Sequence, residues 1–172
     1  MSVEFSPTPW DERALLIKTY EIREVSEEAL KKSMGVAGHF TAKVDPLASK
    51  RLLQEYGFYY CDTLIEPFCT ADRFIAFEHP SASISKSVPI HDLAIMARGA
   101  FEHGRFHRDF NGDRERADRR YDLWLRDLHE AGDVYGLLWN NELVGFIACS
   151  SNRLVLHALD RPARSRGLAK FL

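Results

Sequence analysis

A helix followed by three strands, between residues 114 and 159, most constrains what this chain can fold into. Apolar side chains recur at three- and four-residue spacing from Arg114 to Glu130, which predicts an amphipathic helix. Strands are predicted at Val134–Trp139, Leu143–Cys149 and Leu154–Leu159. The dipeptide Asn140-Asn141 is a tight-turn signal that joins the first two strands as a hairpin. This order favours an α/β (α+β) fold.

The third strand runs into a basic turn, Arg164 to Ala169, at the predicted start of a helix. The first N–H groups of a helix have no internal partner and carry the positive end of its dipole. Gly167 and Ala169 let a ligand approach the backbone closely. Arg164 and Arg166 supply forked donors that suit phosphate. The turn therefore predicts an anion site, and the alternative is a basic surface loop.

The first 80 residues predict a small N-terminal α/β lobe, and residues 81–172 form a second domain. Residues 1–13 are predicted to be an N-terminal arm. Strands are predicted at Leu15–Ile22, His39–Val44, Phe58–Ile65 and Arg73–Phe77, with helices after Ser26 and Asp45. The Ser-rich stretch Ser81–Ser87 is a linker, with or without an edge strand. A further helix begins at Pro89 and ends at Gly104.

Composition excludes several classes of partner and places the chain in the cytoplasm. The 172 residues carry a formal net charge of -2, which gives no general attraction to nucleic acid or to an anionic membrane. Three cysteines without zinc spacing indicate free thiols in a reducing compartment. The sequence also contains no apolar run long enough for a signal peptide or membrane span.

The charged and aromatic loop from Arg105 to Asp113 is the second candidate site. Its mixed donors, acceptors and rings predict a pocket for a polar substrate, and the alternative is a solvated loop. Tyr121 and Trp124 either belong to the core or wall the same pocket. His103 and His107 have no third ligand, so no metal site is expected. No residue is assigned a catalytic role. The residues predicted to bind the substrate are Arg105, Phe106, His107, Asp109, Tyr121 and Trp124.

The order of helices, hairpin, strand and R-x-x-G-x-A turn resembles the first half of the GCN5-related N-acetyltransferase (GNAT) family. The resemblance implies a mixed, mainly antiparallel sheet flanked by helices. It also implies that residues 81–172 are the N-terminal part of such a domain, truncated after the turn. The turn would hold the pyrophosphate of acetyl-CoA through Arg164, Ser165, Arg166, Gly167, Leu168 and Ala169. The acyl-CoA cleft would be lined by His157, Ala158 and Leu159.

Four phrases extend the resemblance to a narrower, TDP-fucosamine acetyltransferase-like subgroup. They are A-K-V-D with L-x-E-Y-G-F between Ala42 and Phe58, G-R-F-H-x-D at Gly104–Asp109, and Y-x-x-W at Tyr121–Trp124. The resemblance implies an enzyme that moves an acetyl group from the co-substrate acetyl-CoA to a primary amine, such as an amino group on a nucleotide-activated sugar. A non-catalytic protein that binds acyl-CoA or a partner is the alternative. The N-terminal lobe either contributes to the acceptor site or buries a homodimer surface.

Overall fold

Two β-sheets organise the chain in the computed structural model, which describes residues 4–171. The strands are β1 (Phe5–Pro7), β2 (Thr19–Ile22), β3 (His39–Ala42), β4 (Ala82–Ser85), β5 (Val134–Trp139), β6 (Glu142–Ser150) and β7 (Arg153–Leu159). The helices are α1 (Pro9–Leu15), α2 (Glu27–Met34), α3 (Arg51–Glu55), α4 (Ile90–Ala97), α5 (Arg105–Arg108) and α6 (Arg114–Glu130). The mixed α/β class predicted from the sequence is confirmed.

The chain divides into two compact units that interleave in sequence. Residues 4–64 and 103–120 form the first unit, and residues 65–102 and 121–171 form the second. Helix α6 supplies its first turns to the first unit and its remainder to the second. The sequence predicts one domain boundary at residue 80, between the N-terminal lobe and the second domain. That boundary stays a prediction.

The first unit is built on the three-stranded sheet β1-β2-β3. Strand β2 pairs antiparallel with β1 and parallel with β3. Helix α2 begins at its N-cap Ser26, whose hydroxyl accepts a hydrogen bond from the Ala29 N–H at 3.1 Å. Its buried face contributes Leu30 to a core that also contains Ile22 and Leu53. Burial of these side chains is what fixes the helix on the sheet.

The second unit is built on the antiparallel sheet β4-β5-β6-β7. Its core contains Leu93 of α4, Leu125 of α6, Phe146 of β6 and Leu156 of β7. Because side chains alternate along a strand, one face of the sheet packs on α4 and α6, and His157 lies on the other face. The predicted amphipathic helix and hairpin are confirmed here.

The pattern of backbone hydrogen bonds between β6 and β7 leaves some N–H and C=O groups of β7 unpaired. The Asp160 N–H donates to the Val144 carbonyl at 2.8 Å, and Ala158 lies opposite Phe146. In an antiparallel ladder every second residue bonds the neighbouring strand. The backbone groups of His157 and Leu159 therefore point away from β6, toward the free edge of the sheet. Strand β7 has no other strand beside it among residues 4–171.

Several predicted elements near the N-terminus are wrong. The predicted arm contains β1 and α1, since Pro9 suits the first turn of a helix. That helix ends at Leu15, so the strand predicted from Leu15 begins only at Thr19. The helix predicted after Asp45 is confined to α3. The Asp45 carboxylate instead accepts a hydrogen bond from the Leu47 N–H at 2.7 Å, as in an Asx turn.

The middle of the chain contains less regular structure than the sequence predicts. The predicted strands Phe58–Ile65 and Arg73–Phe77 are irregular, apart from a 3₁₀ helix at Ala71–Arg73. The Ser-rich stretch contains β4, which confirms the edge-strand alternative. Helix α4 ends at Ala97, earlier than Gly104. The loop predicted from Arg105 begins with the short helix α5.

Gly145 tests how tightly β6 and β7 are packed. A Cβ added at this position would lie 2.4 Å from the Ala158 carbonyl oxygen, closer than any real contact of that kind. Because backbone cannot move aside cheaply, Gly145→Ala should lower the free energy of unfolding by about 1–3 kcal/mol in denaturant titrations. Gly35→Ala is the matched control, since its added Cβ would lie at an ordinary 3.5 Å from the nearest atom. Equal stability of the two variants would contradict the tight approach of β7.

Candidate functional site

The loop after β7 is anchored at both ends by buried side chains. Ala163, in the 3₁₀ helix Arg161–Ala163, and Leu168, in the 3₁₀ helix Leu168–Lys170, are both buried. The residues between them are half-buried or exposed. Ser165 and Gly167 have φ values of 59° and 71°, in the left-handed region. The predicted helix after the turn is wrong: a three-residue 3₁₀ helix provides no substantial macrodipole.

An anion bound at this loop would therefore be held by the backbone N–H groups of the loop itself. A left-handed residue followed by a right-handed one turns successive N–H groups toward one concave side, which is a known geometry for binding anions. Gly167 and Leu168 form such a pair. Nothing lies within 4 Å of a Cβ added at Gly167, so the space in front of the loop is open. Ala169 is exposed on the second 3₁₀ helix.

The two arginines of the loop have different surroundings. Nε of Arg164 donates to the Leu159 carbonyl at 2.7 Å, so this side chain links the loop to the free edge of β7. Arg166 is exposed and makes no side-chain hydrogen bond to another residue within 4–171. Of the two, Arg166 is available to a ligand, whereas Arg164 maintains the position of the loop.

His157 is the unusual polar group of β7. Its Nε2 atom is buried and has no hydrogen-bond partner among the described residues. Burial lowers the pKa of the His157 imidazole, because the charged form loses its hydration. The ring is therefore neutral at pH 7 and keeps an unused nitrogen. Buried polar atoms of this kind usually have a partner, such as water or a ligand.

The other two predicted cleft residues on β7 differ from His157. The Ala158 side chain is buried in the core with Leu93 and Phe146, and its place in an acyl-CoA cleft stays a prediction. Leu159 is half-buried, and its carbonyl bonds Arg164 at the free edge. His157 and Leu159 therefore lie outside that core, and their backbone groups point to the free edge of β7.

The loop containing Arg105 belongs to the first unit and is held by a buried aromatic ring. Phe106 packs with Leu15 and Ala117 in a small core. The Arg105 guanidinium lies 4.6 Å from the centre of this ring. Arg105 also lies 3.5 Å from the buried carboxylate of Asp11. Both contacts stabilise the loop, and they leave Arg105 only partly exposed.

Asp109 is the centre of a polar cluster in this unit. Its buried carboxylate accepts hydrogen bonds from His39 Nε2 at 3.0 Å, from the Asn111 N–H at 2.9 Å, and from the Tyr59 hydroxyl. Burial raises the pKa of Asp109, but the bonds from Tyr59, Asn111 and His39 outweigh it and hold the pKa below its usual range. Burial and the bond to Asp109 raise the pKa of Tyr59 to about 12.

This cluster includes residues that the sequence did not indicate. His39 and Tyr59 lie 70 and 50 positions from Asp109 in the chain, so no local spacing relates them. Cys61 is near the same carboxylate, and burial raises the pKa of its thiol. A raised pKa disfavours the thiolate, so Cys61 is unsuited to act as a nucleophile.

The remaining predicted substrate residues are divided between the two units. His107 contacts the Asp118 carboxylate at 3.0 Å through Nε2, within the first unit. Tyr121 and Trp124 belong to the second unit and pack against its core. The Tyr121 ring stacks on Phe101 with centroids 4.7 Å apart. These contacts favour the core alternative for both aromatic residues.

Known proteins add no further constraint on the site. No family model, no curated protein and no solved structure matches this chain. Within residues 4–171 no three His, Cys, Asp or Glu side chains are grouped so that they could hold a metal ion. None of the helices in that range has the length and apolar character needed to cross a membrane. The GNAT resemblance stays a prediction.

The Asp109 cluster gives a prediction about stability and pH. Asp109→Asn removes the charge that three donors surround, and should lower the free energy of unfolding at pH 7 by about 2 kcal/mol. A lowered carboxyl pKa stabilises the fold above the unfolded pKa of about 3.9 and ceases to do so as pH falls through the folded value. The deficit of the variant should therefore shrink below about pH 4.

Urea titrations at pH 7 and at low pH measure this deficit. Asp62→Asn is the control, because the Asp62 carboxylate lies 3.7 Å from Arg108 at a partly exposed position. An exposed pair contributes little, so this variant should stay within about 0.5 kcal/mol of the parent. A deficit for Asp109→Asn that does not depend on pH would contradict the role of the ionised carboxylate.

Proposed function

We propose that this chain binds acetyl-CoA and transfers its acetyl group to the primary amine of a small molecule. The observation that carries the proposal is the free edge of β7. A few residues after β7 the chain forms an exposed loop in which Ser165 and Gly167 have left-handed φ values. An extended amide chain can pair with a strand edge, and an adjacent backbone concavity can hold a pyrophosphate. Acetyl-CoA contains both groups joined in one molecule.

The proposed pose uses the available groups of each element. The N–H and C=O of His157 face the edge and pair with the amides of the pantetheine arm. The pyrophosphate lies on the backbone from Ser165 to Leu168, with Arg166 as its charged donor. Arg164 keeps the loop against Leu159 through the 2.7 Å bond. The sheet and helices around this edge are proposed to be the first part of a GNAT-type domain.

The acetyl transfer itself needs a neutral amine beside the thioester. The amine nitrogen forms a bond to the acetyl carbon, the carbon–sulfur bond breaks, and CoA leaves as the thiolate. The amine proton must be removed, and the thiolate must be protonated. His157 is our candidate proton acceptor, because burial keeps its imidazole neutral and its Nε2 has no partner among the described residues.

The acceptor is proposed to be an amino group on a nucleotide-activated sugar, following the narrower resemblance. Three free cysteines fit a reducing compartment, so the reaction is assigned to the cytoplasm. A protein that binds acetyl-CoA without turnover is the second candidate. Release of free thiol in the presence of a panel of amino sugars separates the two, because a binder without catalysis releases none.

Gly167 provides the most direct test of the proposed cofactor site. Gly167→Asp places a carboxylate where the pyrophosphate would lie, and should weaken acetyl-CoA binding at least about tenfold in calorimetry. Gly132→Asp is a matched control, since Gly132 also has a left-handed φ, of 78°, with open space around it. Both changes place an aspartate at a left-handed φ. Only a loss of acetyl-CoA affinity confined to Gly167→Asp therefore supports pyrophosphate binding at the loop. Equal affinities would exclude it.

His157 provides a test of proton transfer. The acid limb of kcat/KM should have an apparent pKa below 6.5, because burial lowers the pKa of this imidazole. His157→Gln keeps a polar side chain of similar length and cannot accept the proton, so the acid limb should disappear and kcat should fall about 100-fold. Retention of the same limb in the variant would rule His157 out as the proton acceptor.

A further inference from the structure

Four residues form one row across the second sheet, which we call the transverse row. Tyr135 of β5 lies directly opposite Ile147 of β6, and Ile147 lies directly opposite His157 of β7. Lys86, the first residue after β4, lies beside Tyr135 and continues the row. Because neighbouring strands are about 4.8 Å apart, the row crosses the sheet from the end of β4 to the free edge of β7.

The transverse row lies on the face of the sheet away from α4 and α6. In β5, β6 and β7 the residue just before the row member belongs to the core, namely Val134, Phe146 and Leu156. Side chains alternate between the two faces of a strand, so the row members point to the opposite face. The three members on these strands are half-buried and lie outside that core. One face of the sheet therefore carries an imidazole, an aliphatic side chain, a phenol and an ammonium in line.

Lys86 supplies the charge of this row. Its ammonium lies 5.1 Å from the centre of the Tyr135 ring, and attraction to the ring face holds it in place. The ammonium has no ion-pair partner within residues 4–171. Tyr135 and Ile147 carry no charge, and burial keeps the His157 imidazole neutral. The row thus has a proton acceptor at the β7 end and an unpaired positive charge toward the β4 end.

Acetyl-CoA in the proposed pose does not supply an anion for Lys86. Its pantetheine arm lies along the edge of β7, and its pyrophosphate lies on the loop after that strand. The transverse row runs across the strands instead, so β5 and β6 separate Lys86 from the β7 edge. The other ligand of the proposed reaction is the acceptor amine, and it is the molecule that can reach Lys86 from His157.

We propose that the acceptor lies along the transverse row, with its amine at His157 and an anionic group at Lys86. The acceptor is then an amine that also carries a phosphate or a carboxylate. Tyr135 and Ile147 contact the uncharged part between these two groups. Tyr135 and His157 are two strands apart, about 10 Å between Cα atoms, which suits a molecule as long as a sugar phosphate. This inference rests on the proposed acetyl transfer.

Three amino sugars that differ only at C6 test the anionic group. Glucosamine has a hydroxymethyl group there, glucosamine 6-phosphate a phosphate ester, and 2-amino-2-deoxyglucuronate a carboxylate. With saturating acetyl-CoA, one anionic sugar should exceed glucosamine at least about tenfold in kcat/KM, because its charge pairs with Lys86. The better of the two identifies phosphate or carboxylate. Equal values, a preference for glucosamine, or turnover of none of the three would overturn the inference.

Removal of the Lys86 charge tests the assigned residue. Lys86→Met keeps an unbranched side chain, and should lower the preference for the anionic sugar over glucosamine about tenfold, through a higher KM for the anionic sugar. Lys86→Arg keeps the charge and should retain the preference. Lys31→Met is the matched control, since it removes the same charge from a 64% exposed lysine of the first unit. An unchanged preference in Lys86→Met, or an equal loss in Lys31→Met, would rule Lys86 out.

Calorimetry with acetyl-CoA separates failure of this inference from failure of the proposed function. A parent chain that binds acetyl-CoA and transfers acetyl to the three sugars without a preference refutes only the anionic acceptor. A parent chain that does not bind acetyl-CoA refutes the proposed function, and this inference with it.

Discussion

The backbone ladder between β6 and β7 is the interaction on which the rest of the second unit depends. The bond from the Asp160 N–H to the Val144 carbonyl shows which residues of β7 are hydrogen-bonded to β6. The backbone groups of the residues between them face the free edge. Shifting a strand by one residue would exchange its core and solvent faces. Leu156 would then leave the core, and His157 would enter it. Gly145 maintains the register by allowing the two strands to approach closely.

Polar anchoring has a comparable role in the first unit, where the buried core is smaller. The Asp109 carboxylate joins the start of β3, the irregular segment around Tyr59 and the loop after α5. A buried carboxylate without donors would be strongly destabilising, so these segments are held together by the need to satisfy it. This requirement explains why an irregular segment keeps a defined position without belonging to a sheet.

Sequence patterns predicted those elements whose signals are local. Helix α6 and the hairpin β5-β6 have clear periodicity and a turn dipeptide, and both are confirmed. The segment Phe58–Ile65 has strand-like composition, yet Tyr59 bonds a carboxylate 50 positions away. Such a long-range contact has no local sequence signature. Here it outweighs the intrinsic strand propensity of the segment. The glycine and arginines of the turn after β7 predict an anion site, but local sequence does not indicate that Arg164 bonds the Leu159 carbonyl.

The central claim is that acetyl-CoA occupies both the edge of β7 and the loop that follows it. Amide hydrogen exchange, measured residue by residue by NMR, tests both contacts at once. Addition of acetyl-CoA should slow exchange at the His157 amide and at the loop amides from Ser165 to Leu168, because these N–H groups acquire acceptors. Exchange at the Ile84 amide on the opposite edge should not respond. Unchanged exchange at both His157 and the loop, with saturating acetyl-CoA, would contradict the account.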